Sequence, residues 1–182
     1  MGVTIQRVGR TAWRLIAEQT LNAPRDRVFA FFSDAYNLER LTPSFLRFRV
    51  LTPRPIEMRS GAVIDYRLRV RGVPMRWRTV IEDWNPPHSF IDTQQRGPYR
   101  LWHHTHTFED LGESTRCVDT VRYQPPGGPL AELVNAIGVQ RDVVRIFEFR
   151  MRTLESLFNE KQSEIARTSE TGFAQDARVG VD

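Results

Sequence analysis

From Phe45 to Tyr123 the apolar residues recur at about every second position, in runs near 45–52, 61–71, 74–84, 88–95, 99–109 and 114–123. A period of two puts successive side chains on opposite faces of a pleated strand, so each run reads as a half-buried strand. Between the runs stand Arg71-Gly-Val-Pro74, Asn85-Pro-Pro87, Gln95-Arg-Gly-Pro98 and Glu109-Asp-Leu-Gly112, residue types that close tight turns. Six such strands imply an antiparallel meander.

The flanks follow different rules. Residues 1–10 carry no strong pattern and read as an N-terminal extension, whereas Trp13, Leu15, Ala17, Gln19 and Leu21 alternate with polar residues as a first strand at about 12–21. Pro24 suits the first turn of a helix and Asp26 its positive end, with Val28, Phe29 and Phe32 as the apolar stripe to about Ser33. A second short helix over Asn37–Leu41 stops at Thr42-Pro43, because a residue before proline disfavours helical geometry. After Pro125-Pro-Gly-Gly-Pro129 the period becomes helical: Leu130, Leu133, Ile137, Val144, Phe147, Met151, Leu154 and Phe158 form one predicted stripe. A helix of about thirty residues spans roughly 45 Å, enough to cross a sheet. Beyond about Glu160 the apolar period ends, and 161–182 read as a disordered tail behind a single domain over 11–160.

Composition fits one globular domain: 182 residues, 40% hydrophobic and 26% charged. Cys117 is the only cysteine, which excludes an internal disulfide, and no apolar N-terminal segment has the length of a signal peptide or membrane span. The expectation is a soluble, cytoplasmic protein; the sequence carries no sign of its oligomeric state. Basic residues exceed acidic ones by four (26 against 22), with Lys161 the sole lysine, so the placement of the arginines matters more than their number.

Alternation sorts the chemistry into two faces. Trp102, His104, His106 and Phe108 share one face, while His103 falls on the other with Leu101, Thr105 and Thr107. The apparent histidine triplet is therefore a pair plus an outsider, which weakens a three-histidine metal site. A turn centred between Leu111 and Gly112 sets His104 opposite Asp119 and His106 opposite Cys117, so Asp119 is predicted to orient His104 and favour its charge. Asp92 and Gln94 are candidates for the same face from the neighbouring strand. The plain reading of His104 and His106 is a pair of buried side chains in satisfied hydrogen bonds. The sharper ones are a ligand-orienting or an acid/base role. Zinc needs three or four ligands, with Asp119 and Cys117 the obvious extras, so neither metal nor cofactor is expected. Cys117 reads as a small core residue. A turn over 71–74 pairs Leu68 with Trp77 and Tyr66 with Thr79 on the inner face, and Arg67 with Arg78 and Arg69 with Arg76 on the outer one, where Arg47 and Arg49 extend the cluster.

The residues Ala23-Pro24 through Val28-Phe29, Asn37-Leu38 with Leu41-Thr-Pro43, Gly61 through Asp65-Tyr66, Gly72-Val-Pro-Met-Arg-Trp77, Gly97-Pro-Tyr99 with Trp102-x-His104-x-His106-x-Phe108, and Asp119 to Tyr123 carry a family resemblance. Over about 11–159 the chain resembles the START-like SRPBCC superfamily, particularly its polyketide cyclase/dehydrase-like, ligand-binding bacterial members. The resemblance implies an α+β helix-grip fold: a seven-stranded curved antiparallel sheet wrapped around a long C-terminal helix, with two short helices between strands one and two. It also implies an apolar ligand between sheet and helix.

Three functions follow as expectations. In the first, an apolar or amphipathic small molecule, lipid- or polyketide-like, contacts Tyr66, Trp77, Trp102 and Phe147, and His104, His106 and Asp119 fix its polar end. In the second, a cyclase or dehydratase uses His104 as base, Asp119 behind it and His106 as donor. In the third, Arg67, Arg69, Arg76 and Arg78 meet an anionic surface or partner protein. Nucleic acid fits poorly, because single-strand binders set aromatics and cations on one surface and here they lie on opposite faces.

Overall fold

The structure, a computed structural model, describes the backbone of residues 2–176 and the side chains of residues 2–158. Eight strands among the described residues form one antiparallel sheet in the order β1-β2-β8-β7-β6-β5-β4-β3. They are β1 (Gly2–Arg7), β2 (Trp13–Leu21), β3 (Arg49–Val50), β4 (Val63–Val70), β5 (Val73–Asn85), β6 (Ser89–Arg96), β7 (Leu101–Asp110) and β8 (Thr115–Gln124). Between β2 and β3 run α1 (Arg25–Ser33) and two 3-10 turns, Ala35–Glu39 and Ser44–Leu46; after β8 come α2 (Ala131–Val134), a π turn (Asn135–Val139) and α3 (Gln140–Asp176). This is the α+β helix-grip arrangement.

One strand exceeds the expected seven. Gly2–Arg7 pairs along β2, from Gly2 opposite Glu18 to Arg7 opposite Trp13. Its alternation is weak because it is an edge strand with no buried residue. The expected strand over 45–52 shrinks to Arg49–Val50, since Ser44–Leu46 is a 3-10 turn and Arg47 takes a left-handed φ of 45°.

Both hairpin registers differ from expectation by two residues. Arg71 (φ 51°) and Gly72 (φ 85°) alone form the β4–β5 turn, so Val70 faces Val73, Leu68 faces Met75 and Tyr66 faces Trp77. Two consecutive positive φ values define the turn that matches strand twist, and glycine adopts them without a Cβ penalty. Pro74 stands inside β5, where only one neighbouring strand needs its pairing. On the outer face the correction re-pairs the arginines: Arg67 opposes Arg76 and Arg49, Arg69 opposes Pro74, and Arg78 opposes Asp65, whose carboxylate it grips at 2.8 and 2.9 Å. In the β7–β8 hairpin the turn spans Leu111–Ser114, placing His104 opposite Val121, His106 opposite Asp119 and Phe108 opposite Cys117. A two-residue slip preserves the faces, so the side chains expected inside are inside.

Two register shifts between β5 and β6, at Arg78/Thr79 and Ile81/Asp83, bend the sheet. Its concave face and α3 enclose the core. Leu15, Val121 and Tyr123 pack on Val143, Phe147 and Met151; Leu21, Phe29, Phe90 and Phe108 pack nearer Leu154 and Phe158.

The long apolar stripe is broken where the helix starts. Leu130, Leu133 and Ile137 are exposed, and Val143 rather than Val144 is buried. The π turn inserts one residue into the helical period, which rotates the stripe before it by about 100° out of phase with the stripe after it. Asn135 anchors this turn from within: it is buried, accepts from the Tyr123 hydroxyl at 3.2 Å and donates to Gln140 Oε1 at 3.3 Å. The Arg71 guanidinium from the β4–β5 tip lies against Gly138 of the same turn, in the space a Cβ there would take. Arg71 pairs with Asp142 at 3.1 Å. At the other end the backbone of 161–176 continues α3, where a tail without structure was expected, and residues 177–182 lie outside the described residues. That stretch has no apolar stripe but is rich in helix-forming Glu, Lys, Gln, Ala and Arg.

Candidate functional site

A cavity of about 1000 Å3 lies between the concave sheet face and α3. Tyr66 from β4, Trp77 from β5, Trp102, His104 and His106 from β7, and Phe147 from α3 all border it, which brings together the six residues predicted to line a ligand site. Asp119 does not border it; it stands behind the histidines on β8. The aromatic wall is interlocked. Trp77 meets Trp102 edge to face at 5.3 Å, Tyr99 leans on both, and Trp77 Nε1 donates to Thr79 Oγ1 at 2.9 Å.

Amid the apolar lining stands a polar cluster of five residues, four of which border the cavity. β6 supplies Asp92, opposite His104; β7 supplies the histidines; β8 supplies Asp119; and α3 supplies Arg150. Asp119 Oδ1 lies 2.6 Å from His106 Nδ1 and 3.2 Å from His104 Nε2, so Asp119 serves both rings and not His104 alone. Asp92 Oδ2 lies 3.0 Å from His106 Nε2 and 3.4 Å from His104 Nδ1. Arg150 Nε approaches Asp119 Oδ2 at 3.4 Å. Its guanidinium sits over the rings of Phe32 and Phe147 at 5.1 and 5.9 Å. Phe90 stacks on His106 at 4.0 Å.

These groups sort into charged and neutral by their neighbours. Burial works against the charge on His106, but Asp119 and Asp92 outweigh it and hold the ring above its ordinary pKa. Burial pushes His104 down, the adjacent His106 adds to that, and the two carboxylates do not recover it; the result is about 4. For Asp119, burial is overcome by Arg150 and the histidines, which hold the carboxyl well below the usual range, and Asp92 is lowered in the same way. Charge is thus favoured on His106, beside the carboxylates and Arg150, and disfavoured on His104. Asp119 does favour charge on His104, as expected, but burial and the neighbouring His106, whose ring lies 3.7 Å away, outweigh it.

Asp92, His104 and His106 bring three ligand-type atoms within 4.8 Å. A divalent cation there would sit beside the Arg150 guanidinium, and the ring nitrogens already face carboxylates, so the cluster is better suited to protons and anions. Cys117 is buried, with its thiol pushed up to about 12 by that burial, which suits a core residue and not a nucleophile.

Asp92 was a weak candidate in the sequence and Arg150 was no candidate. The signal for Arg150 was present: it stands three positions after Phe147 and next to Met151, a cation set in an apolar stripe. The signal for Asp92 was masked by the bulges in β5–β6, which no turn count reveals.

Residues 21–152 match the family described as polyketide cyclase / dehydrase and lipid transport. The chain belongs to this family. No curated protein is significantly similar to it in sequence. Among solved structures it is similar to TTHA0849 from Thermus thermophilus, with 23% identity and a TM-score of 0.61 over 79% of this chain and 94% of that one. It is similar also to the Zhui aromatase/cyclase from Streptomyces sp. R1128, with 17% identity and a TM-score of 0.59 over 80% and 94%. The ginseng major latex-like protein 151 from Panax ginseng has 14% identity and a TM-score of 0.50 over 74% and 97%. At these identities the likeness concerns the fold. Among the described residues no helix is long and apolar enough to cross a membrane.

Proposed function

We propose that this chain binds an apolar or amphipathic small molecule, lipid- or polyketide-like, in the cavity between the sheet and α3. The apolar part lies against Tyr66, Trp77, Trp102 and Phe147, and the polar end meets His104 and His106, with Asp119 holding both rings from behind. The carrying observation is the cavity: about 1000 Å3 is at the upper end of small-molecule sites, far above a packing defect, and Asp92, His104, His106 and Arg150 border it as one polar cluster. Family membership supports the same reading. We place the protein in the cytoplasm, where a lone buried thiol such as Cys117 stays reduced.

Native mass spectrometry of gently purified protein tests this, followed by extraction and identification of whatever unfolding releases. A stoichiometric organic adduct supports the reading. A clean apo mass together with failure to bind the neutral apolar dye N-phenyl-1-naphthylamine overturns it.

A cyclase/dehydratase role with His104 as base has one observation in its favour, a neutral imidazole facing the cavity. The geometry counts against it: both ring nitrogens of His104 already face carboxylates, Asp119 at 3.2 Å and Asp92 at 3.4 Å, whereas a base needs a nitrogen within reach of the substrate's proton. Binding without chemistry is therefore the better account.

A further inference from the structure

Arg150 is the one buried cation that the cavity's polar end leaves underused. It is 6% exposed and borders the cavity, yet its Nε has no hydrogen-bond acceptor among the described residues. Its Nη2 makes only a long 3.5 Å contact with His106 Nδ1, and the ion pair to Asp119 at 3.4 Å is not a well-aligned hydrogen bond. A guanidinium carries five N–H donors in a planar fork that matches a carboxylate bidentately. A buried donor left unpaired costs free energy that a ligand oxygen recovers.

We propose that the ligand's polar end is a carboxylate seated on the Arg150 guanidinium. This rests on the cavity being the ligand site. The head must be an acceptor, because the open positions on Arg150 are all donors. It is anionic, and not a hydroxyl, because it lies over a cation among the apolar rings of Phe32, Phe147 and Phe90.

The experiment compares dodecanoate, dodecanol and dodecylammonium at micromolar concentration, by displacement of N-phenyl-1-naphthylamine from the wild-type protein. Dodecanoate is expected to bind at least tenfold tighter than dodecanol. Arg150→Gln should erase that preference, read as the ratio of the two affinities. Equal binding of dodecanol and dodecanoate, or a preference that survives Arg150→Gln, would each overturn the proposal while leaving the cavity reading intact. Failure of the wild type to bind the dye would instead bring down the cavity reading and this proposal with it. Should Arg150→Gln not fold, the wild-type comparison of dodecanoate, dodecanol and dodecylammonium decides without it.

Discussion

Asp119 is the residue on which most of the site depends. Its two oxygens face His104, His106 and Arg150, so its loss leaves two cations buried without their common counter-ion. Breaking a buried ionic network by removing one partner costs about 3–5 kcal/mol. Asp119→Asn is expected to lose that much in urea unfolding at pH 7, and a loss under about 1 kcal/mol would mean that water reaches the network. His104 sets a pH dependence of known sign. Its folded pKa of about 4 lies below the unfolded value near 6.5, so between these the unfolded chain holds a proton that the native state does not. Stability then falls as pH drops through that window, by about 1.4 kcal/mol per pH unit. His106 is raised in the fold, so its contribution is fully present well below the unfolded value near 6.5, where it adds no slope, and is lost as pH rises through its folded value. The lowered Asp92 and Asp119 add their own loss below about pH 4. Unfolding midpoints from about pH 5.5 to 4.5 should show this slope in wild type and a shallower one in His104→Asn; identical slopes would assign the acid sensitivity elsewhere. The pairing of histidines on one face was legible from alternation alone. The contact of Asp119 with His104 was legible too and is present at 3.2 Å; its second contact, with His106, was not, because a turn one residue off its assumed centre moves every cross-strand partner by two.

At the scale of elements, strands and helices were legible wherever one face is buried and illegible where none is. The clean alternation of β4 through β8 set their extents within two residues, whereas β1, an exposed edge, left no strong period to read, and the period over 45–52 overstated β3, which is two residues long. The stripe across Leu130, Leu133 and Ile137 misled for a different reason. Its spacing is helical, but the π turn changes which way it faces, and that change is driven by a tertiary contact, Tyr123 to Asn135. The outer face of β3–β4–β5 has a consequence of its own. Arg67 has Arg49 on one side and Arg76 on the other, while Arg78 is neutralised by Asp65. Like charges directly opposed across a ladder are destabilising, on the scale of about 0.2–1 kcal/mol for a cross-strand pair. Arg76→Thr should therefore raise stability by that amount at low salt, with the gain shrinking as salt screens the repulsion. A loss of stability at every ionic strength would show that a counter-ion or partner already balances Arg67.

At the scale of the whole molecule the question is whether the space between sheet and α3 is ligand space or core. Size favours ligand space: interiors are close-packed, and voids larger than a water are few, so about 1000 Å3 bordered by buried Ile64, Leu68 and Ile81 is outside the range of packing faults. Two substitutions separate the possibilities. Leu68 borders the cavity and is 6% exposed; Leu15 is fully buried in the packed half of the same sheet and does not border it. Enlarging a side chain in a well-packed core costs about 1–3 kcal/mol because neighbours must leave their rotamers. Leu15→Trp should incur that cost or more. Leu68→Trp projects its extra atoms into empty space and should cost less than about 1 kcal/mol, since no neighbour is displaced. The same substitution occupies volume that a ligand tail needs, so binding of N-phenyl-1-naphthylamine should weaken at least tenfold. In the wild type a ligand at a hundred times its Kd should add about 2.7 kcal/mol to stability, a gain that Leu68→Trp should largely lose. If Leu68→Trp instead destabilises as much as Leu15→Trp and leaves dye binding unchanged, the residues around Leu68 are packed core, and the ligand site must be sought elsewhere in the fold.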